Sequence, residues 1–473
     1  MPIDAHPAQR AHPHADPRAD PEAQLAAFVV GLRAEQLPAE AARITRLVAM
    51  AALGAGVAGA GEDGIEALRE LLAARGGAPQ ARTLVFGDRL PAAAAAQLGG
   101  TMCRALDFCD AMAPGPHIGS AVLPAALAAA DLRGGCSGAE LMAALAAGCE
   151  VGSRFNLSEA QYDGFDPTGV AVGFASTAAA SRVLGLTVTQ TRHALGLAFN
   201  RCGGSFQSNI DGTLAVRLIQ GWVAATGIEC AQMAAAGLTG PAHFLTGVYG
   251  YPHLYGRDTL DPQAMVQGLG REWRLLRMMF KPYPSCGATQ GLTALVLQLV
   301  HELALTPERV QHVEVRLPPY SHKLVGHAWR IGDNPRVNAQ FSAQYCVANA
   351  IVRRSSTLPH FTPASVHDPA VLALIERVGC VGDASMNARG HTAVDVNLRT
   401  TDGRLHHRQL DIAPGFPGND LSDAQQRARF DGCMAYAPHP LAPEAVTAFL
   451  DDLQGLEALP DARRLMGHLV GTT

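Results

Sequence analysis

Charge is scarce in this 473-residue chain: Asp, Glu, Lys and Arg make up 17% of it, with a formal net charge of -5. No segment carries a stripe of Lys and Arg, which excludes the clustered phosphate neutralisation of a nucleic-acid surface. No Cys-x-x-Cys pair occurs among the ten cysteines. They are scattered, mostly in apolar runs such as Ala147-Gly-Cys149, which points to buried free thiols in a reducing compartment. Cys, His and Asp never fall at the tight spacing of a zinc or iron site, so no metal is expected. The Ala-rich stretches are broken by Gly, Arg or Glu before they reach the length of a membrane span, and no basic segment followed by an apolar core opens the chain. The expectation is a cytoplasmic protein with neither nucleic acid nor membrane as partner.

What is present is apolar. At 48% hydrophobic residues the chain has ample material for a large core, and its length predicts two domains. Residues 1–21 carry five prolines among His, Asp and Ala and read as a disordered tail, its His6, His12 and His14 solvated rather than metal-binding. From Glu22 the apolar spacing is helical: Leu25, Phe28, Val29 and Leu32, then Ile44, Leu47, Val48 and Ala51. Gly54-Ala-Gly-Val-Ala-Gly59 has the letters of a dinucleotide-binding turn, but a helix precedes it where that turn needs a strand. Close helix packing is the reading taken.

Runs around 121–131, 138–152, 167–184, 190–201, 215–236 and 241–247, rich in Ala, Gly, Leu and Val, predict a large helical bundle with small residues at its contacts. Near Arg271 the pattern changes. A helix over 288–303 precedes a strand at Val310, Val313, Val315 and Leu317; 368–378 reads as helical, and 394–412 as a hairpin turning at Asp402-Gly403. The fold class is therefore mainly α with a smaller α/β domain. The expected division is a tail at 1–21, a helical domain at 22–269, an α/β domain at 270–416 and returning helices at 417–473.

Chemistry concentrates in Arg104–Pro124, where Asp107, Asp110 and His117 surround a Pro/Gly-rich bend between two apolar helical segments. An imidazole is the side chain best matched to moving protons near neutral pH. Asp107 is placed to orient that ring or bind substrate, or else to tether the loop. Lys281 sits in Phe-Lys-Pro-Tyr-Pro, a stiffened mount for a cation that meets a carboxylate. Tyr345, in Phe-Ser-Ala-Gln-Tyr-Cys, offers a hydroxyl donor or packs as a core residue. Cys286 lacks the His-Asn context of a nucleophile and reads as a pocket-lining thiol.

Ala-Leu-Asp-Phe-x-Asp, the loop, and His-x-x-Ser-Ala-Val-Leu-Pro together resemble the first active-site loop of the MmgE/PrpD family, whose members dehydrate, decarboxylate or epimerise small acids. Further matches follow in order at Phe165-Asp-Pro-Thr-Gly169, Thr239-Gly-Pro241, Phe280–Cys286 and Ala339–Cys346. The resemblance implies a helical domain built from both chain ends, an inserted α/β lid, an active site in the cleft between them, and homodimers. It also implies a cofactor-independent lyase acting on a small carboxylate, with His117, Asp107, Lys281 and Tyr345 as its catalytic set.

Departures from the family pattern remove polar and cationic groups: Ala111 replaces a hydroxyl residue, Asp166 a histidine, and Val216 and Ile219 a lysine and a histidine. Asp166 before Pro167 is also a helix N-cap signature. Arg104, Arg201 and Arg217 are the candidate replacements for substrate binding, joined by Asp166 and Cys286, and spacing does not choose among the arginines. An epimerase with an altered pocket, or a binding protein that keeps the fold, are the alternatives.

Overall fold

The computed structural model describes residues 20–471. The expected tail, with its three histidines, lies outside them except at its end. There Asp20 accepts the amide of Ala23 at 2.9 Å and caps the helix Pro21–Gly31, with proline at the first turn, where its missing N–H costs nothing.

One hydrophobic core runs through the helices of the first half and takes in Leu421, Phe430, Phe449, Leu453 and Leu465 from the chain's end. The helices Ala92–Arg104 and Pro167–Leu184 pack against Ala215–Ala235, and the returning helix Asp423–Tyr436 packs against Ala39–Ala58. Ala39–Gly61 is the one helix among the described residues with the length and apolarity of a membrane span, and 78% of its apolar window is buried within the protein. Its glycines serve contact. A Cβ on Gly54 would stand 2.9 Å from the Phe430 ring, one on Gly56 2.9 Å from the Cys103 sulfur, and one on Gly59 2.3 Å from the Met102 carbonyl. The segment 241–247, grouped with the bundle runs by composition, is a series of turns instead. Pro241 and the glycines on both sides interrupt it, and the Glu22 carboxylate accepts the amides of Leu245 and Thr246 at 2.9 and 2.8 Å.

A second core joins residues 286–398, with Val216 reaching it from the helical side. Two short strands, β1 (Ala81–Arg82) and β2 (Arg89–Leu90), pair in the helical part, and β3 (Asp110–Met112) pairs antiparallel with β4 (Met278–Phe280). The larger sheet is built from β5 (Val310–Leu317), β6 (Val378–Gly382), β7 (Val394–Thr400) and β8 (Leu405–Leu410), in the order β6-β5-β7-β8. β7 and β8 form the expected hairpin, turning where Gly403 takes φ +84°. The helix expected over 368–378 stops at Ile375, and β6 follows, parallel to β5. The helix Gln290–Glu302 covers β7 and β8, so one sheet face is buried. The architecture is mainly α with a smaller α/β part.

Candidate active site

The β3–β4 pair holds the site together. Asp110 stands opposite Phe280, so the bent loop and the Pro-flanked loop are tied by backbone hydrogen bonds next to His117 and Lys281. Upstream, the helix Ala92–Arg104 ends and Asp107 adopts φ +49°, an uncommon conformation for a residue with a Cβ. Downstream, the Asp110 carboxylate accepts the amides of Ile118 and Gly119 at 3.2 and 2.8 Å, closing the bend and capping the helix Gly119–Arg133. Burial pushes that carboxyl up to about 6, against the pull of those amides and of Lys281.

Asp107 is the hub. Its Oδ1 accepts Lys281 Nζ at 2.6 Å, pairs with Arg104 at 2.6 Å and lies 3.7 Å from His117 Nε2. Lys281 also donates to the Asp107 carbonyl at 3.1 Å, and both side chains are 1% exposed, so neither partner is left to water. His117 Nδ1 lies 2.8 Å from the Asp110 carbonyl. A carbonyl only accepts, so Nδ1 carries the proton and Nε2 the lone pair. Burial first, then the positive charges of Arg104 and Lys281, hold this imidazole well below the usual histidine range, with the bond to Asp110 opposing.

These groups open into a cleft of about 710 Å³, its mouth included, lined from both parts of the molecule. From the helical side come Asp166, Thr168, Asn209 and Gln220; from the α/β side Cys286, Tyr320, Ser321, Phe341 and His391. Asp166 does what its sequence context signalled, accepting the amides of Thr168 and Gly169 at 2.9 and 3.2 Å as an N-cap, while also facing the cleft. Burial pushes its carboxyl up, against those amides and Arg104. The Thr168 hydroxyl accepts the His117 amide at 3.2 Å and Gln220 Nε2 at 3.0 Å, fixing the loop from below. Burial raises the Cys286 thiol to about 11, which keeps it protonated and a lining group.

Three expected residues lie elsewhere. Tyr345 packs in the α/β core against Trp329 and Phe361, and its hydroxyl donates to the His360 carbonyl. Its helix turns that face away from the cleft. The same motif reaches the site through Gln340, which donates to the Leu106 carbonyl at 2.7 Å, and through Phe341, whose ring lies 6.0 Å from the Arg104 guanidinium. The tyrosine that does line the cleft is Tyr320, its hydroxyl 3.4 Å from the Pro114 carbonyl. Arg201 sits at the surface paired with Glu229. Arg217 is buried behind the site, donates to the Asp63 carbonyl at 3.0 Å, and is lowered to about 10 by burial against the pull of Glu62. Of the three arginines, Arg104 enters the cleft. Among the described residues no group of three or more His, Cys, Asp or Glu side chains is gathered to hold a metal ion.

Comparison with known proteins gives the same picture. The chain is 26% identical to a cis-aconitate decarboxylase of Mus musculus over 400 residues, 81% of this chain and 79% of that protein. It is 26% identical to a cis-aconitate decarboxylase of Homo sapiens over 398 residues, 81% and 80% of the two chains. A cis-aconitate decarboxylase-like protein of Aspergillus oryzae matches at 24% over 436 residues, 85% and 88%. Residues 23–263 match the MmgE/PrpD N-terminal domain and residues 283–445 the MmgE/PrpD C-terminal domain. With these two matches in order along the chain, and a cleft lined from both, the protein belongs to the MmgE/PrpD family.

Proposed function

We propose that the protein is a lyase acting on a small carboxylic acid by proton transfer at carbon, with His117 as the base. The observation that carries the reading is the imidazole, whose Nδ1 is spent on the Asp110 carbonyl while Nε2 keeps a lone pair beside Asp107. The relatives, named as decarboxylases, support the lyase class. In the step envisaged, Nε2 takes a proton from the carbon next to a carboxylate, and the C–H electron pair moves into that carboxylate. Arg104 and Lys281 stabilise the added negative charge. The pair then returns to form a carbon–carbon double bond and expels hydroxide from the next carbon, which takes the proton back from the imidazolium and leaves as water.

Tyr320, whose hydroxyl burial keeps protonated, donates a hydrogen bond to the departing oxygen. Decarboxylation differs in that the C–CO2 bond supplies the pair and the imidazolium protonates the carbon. That route needs a charged ring at the outset, which burial first and then Arg104 and Lys281 oppose in the free protein. Proton abstraction is therefore favoured.

Exchange of carbon-bound hydrogen in heavy water, followed by NMR over a panel of hydroxy acids, tests the reading. His117→Ala and Lys281→Met, each verified as folded by circular dichroism, should lose activity by about a hundredfold or more. Unchanged exchange in both variants would overturn it.

A further inference from the structure

We infer that the cleft is built for a hydroxy acid carrying a single carboxylate, not for a di- or tricarboxylate. This deepens the proton-transfer reading and rests on it. Among the described lining residues the cations are Arg104 and Lys281, and the carboxylates are Asp107 and Asp166. Both cations already share one oxygen, Asp107 Oδ1. The two lining histidines add no positive charge, because burial holds His117 and His391 toward their neutral forms. The formal charge of the lining is thus zero, and each substrate carboxylate after the first enters a low-dielectric space with no cation left to receive it.

The unpartnered polar atoms point the same way. Four polar atoms of lining residues are buried without a hydrogen-bond partner in the structure: the donor Arg104 Nε and the acceptors Asp107 Oδ2, Asn209 Oδ1 and Gln220 Oε1. Arg104, Asp107, Asn209 and Gln220 are each more than nine-tenths buried. One orphan donor suits one carboxylate oxygen. Orphan acceptors suit hydroxyl hydrogens and repel further carboxylates, which carry acceptors alone. Much of the remaining wall is apolar, with Met112, Met279, Phe206, Leu324, Phe341 and Phe416 in it. A short chain bearing one carboxylate and one or two hydroxyls meets all three conditions.

The test is a matched series on the full-length protein: 3-hydroxybutyrate, butyrate, malate and citrate, with affinity measured by calorimetry and hydrogen exchange by NMR in heavy water. The expected order of affinity is 3-hydroxybutyrate, then butyrate, then malate, then citrate. Each added carboxylate should cost about tenfold or more, the scale of one uncompensated charged contact. Citrate or malate binding as tightly as 3-hydroxybutyrate overturns the inference, as does failure of 3-hydroxybutyrate to bind at millimolar concentration. The expected order without exchange in any acid upholds the substrate class and sinks the proton-transfer step; exchange with the order reversed does the opposite. Asp166→Asn keeps a good helix cap and removes one negative charge. It should improve malate relative to 3-hydroxybutyrate about tenfold, and an unchanged ratio counts against the charge argument.

Discussion

At the scale of single residues, the proposed chemistry rests on an imidazole kept neutral by its surroundings. Burial, Arg104 and Lys281 all lower its affinity for a proton. We predict that the His117 ring, followed by NMR, stays neutral as pH falls through 6.5, its ordinary value. Lys281→Met should move its titration upward, since one cation leaves while Asp107 stays; an unshifted titration in the variant would falsify the electrostatic account. The linkage has a definite sign. Below about 6.5 the unfolded chain takes up this proton before the folded one, so the His117 contribution to stability falls with pH there. Asp110 runs the other way, its contribution being present below 3.8 and lost as pH rises through about 6. His117 and Lys281 were singled out in the sequence by their proline-bearing loops together with the family resemblance, and the structure brings both to the cleft. A further sign was available: Lys281 and Lys323 are the only lysines, so 35 of the 37 basic residues are arginine (37 less 2) and each lysine stands out. Tyr320 was not legible. Which of two tyrosines faces a cleft depends on where β5 ends, and Pro318-Pro319 before Tyr320 was the local mark of that end.

At the scale of elements, the sequence displayed the long helices and the β7–β8 hairpin, whose periods and turn are local, and hid the β3–β4 pair, whose strands have three residues each and meet from distant parts of the chain. The returning helix Asp423–Tyr436 adds a second hidden tie. Arg429 Nε donates to the Lys281 carbonyl at 2.5 Å and an Arg429 Nη donates to the Phe108 carbonyl at 2.8 Å, with the guanidinium 4.7 Å from the Phe108 ring. One side chain thus fixes the spacing of the loops that carry Asp107 and Lys281. Arg429→Ala strands two buried carbonyls at about 1–3 kcal/mol each, a loss that denaturant unfolding will register. Arg429→Lys retains a charge and reaches fewer acceptors, so it should fold with kcat reduced about a hundredfold, the effect of a small misplacement of reacting groups. Native kcat in a folded Arg429→Lys protein would show that the loops hold their spacing without it.

At the scale of the molecule, two hydrophobic cores meet at the cleft, one closed by both ends of the chain and the other centred on the β6-β5-β7-β8 sheet. Composition and pattern marked the change from Ala- and Gly-rich helical runs to alternating strands near Arg271, while closure by both chain ends was what the family resemblance implied. The contact between the cores was not legible, since it depends on side chains that become neighbours only after folding, such as Gln340 with Leu106 and Tyr320 with Pro114. That contact makes ligand binding a property of the whole molecule. A ligand at a hundred times its dissociation constant adds about 2.7 kcal/mol to the folded state. With an unfolding entropy of about 2.1 cal/mol/K per residue, a chain of this length that melts in one step should gain about 3 °C. If the two parts melt separately, the ligand should raise the lower step alone, because a site shared by both parts is lost as soon as one unfolds and the later step proceeds without ligand. Differential scanning calorimetry with 3-hydroxybutyrate at saturation makes the measurement. A ligand-dependent rise of the upper step would place the binding groups within the part that melts later and remove the shared cleft from the account.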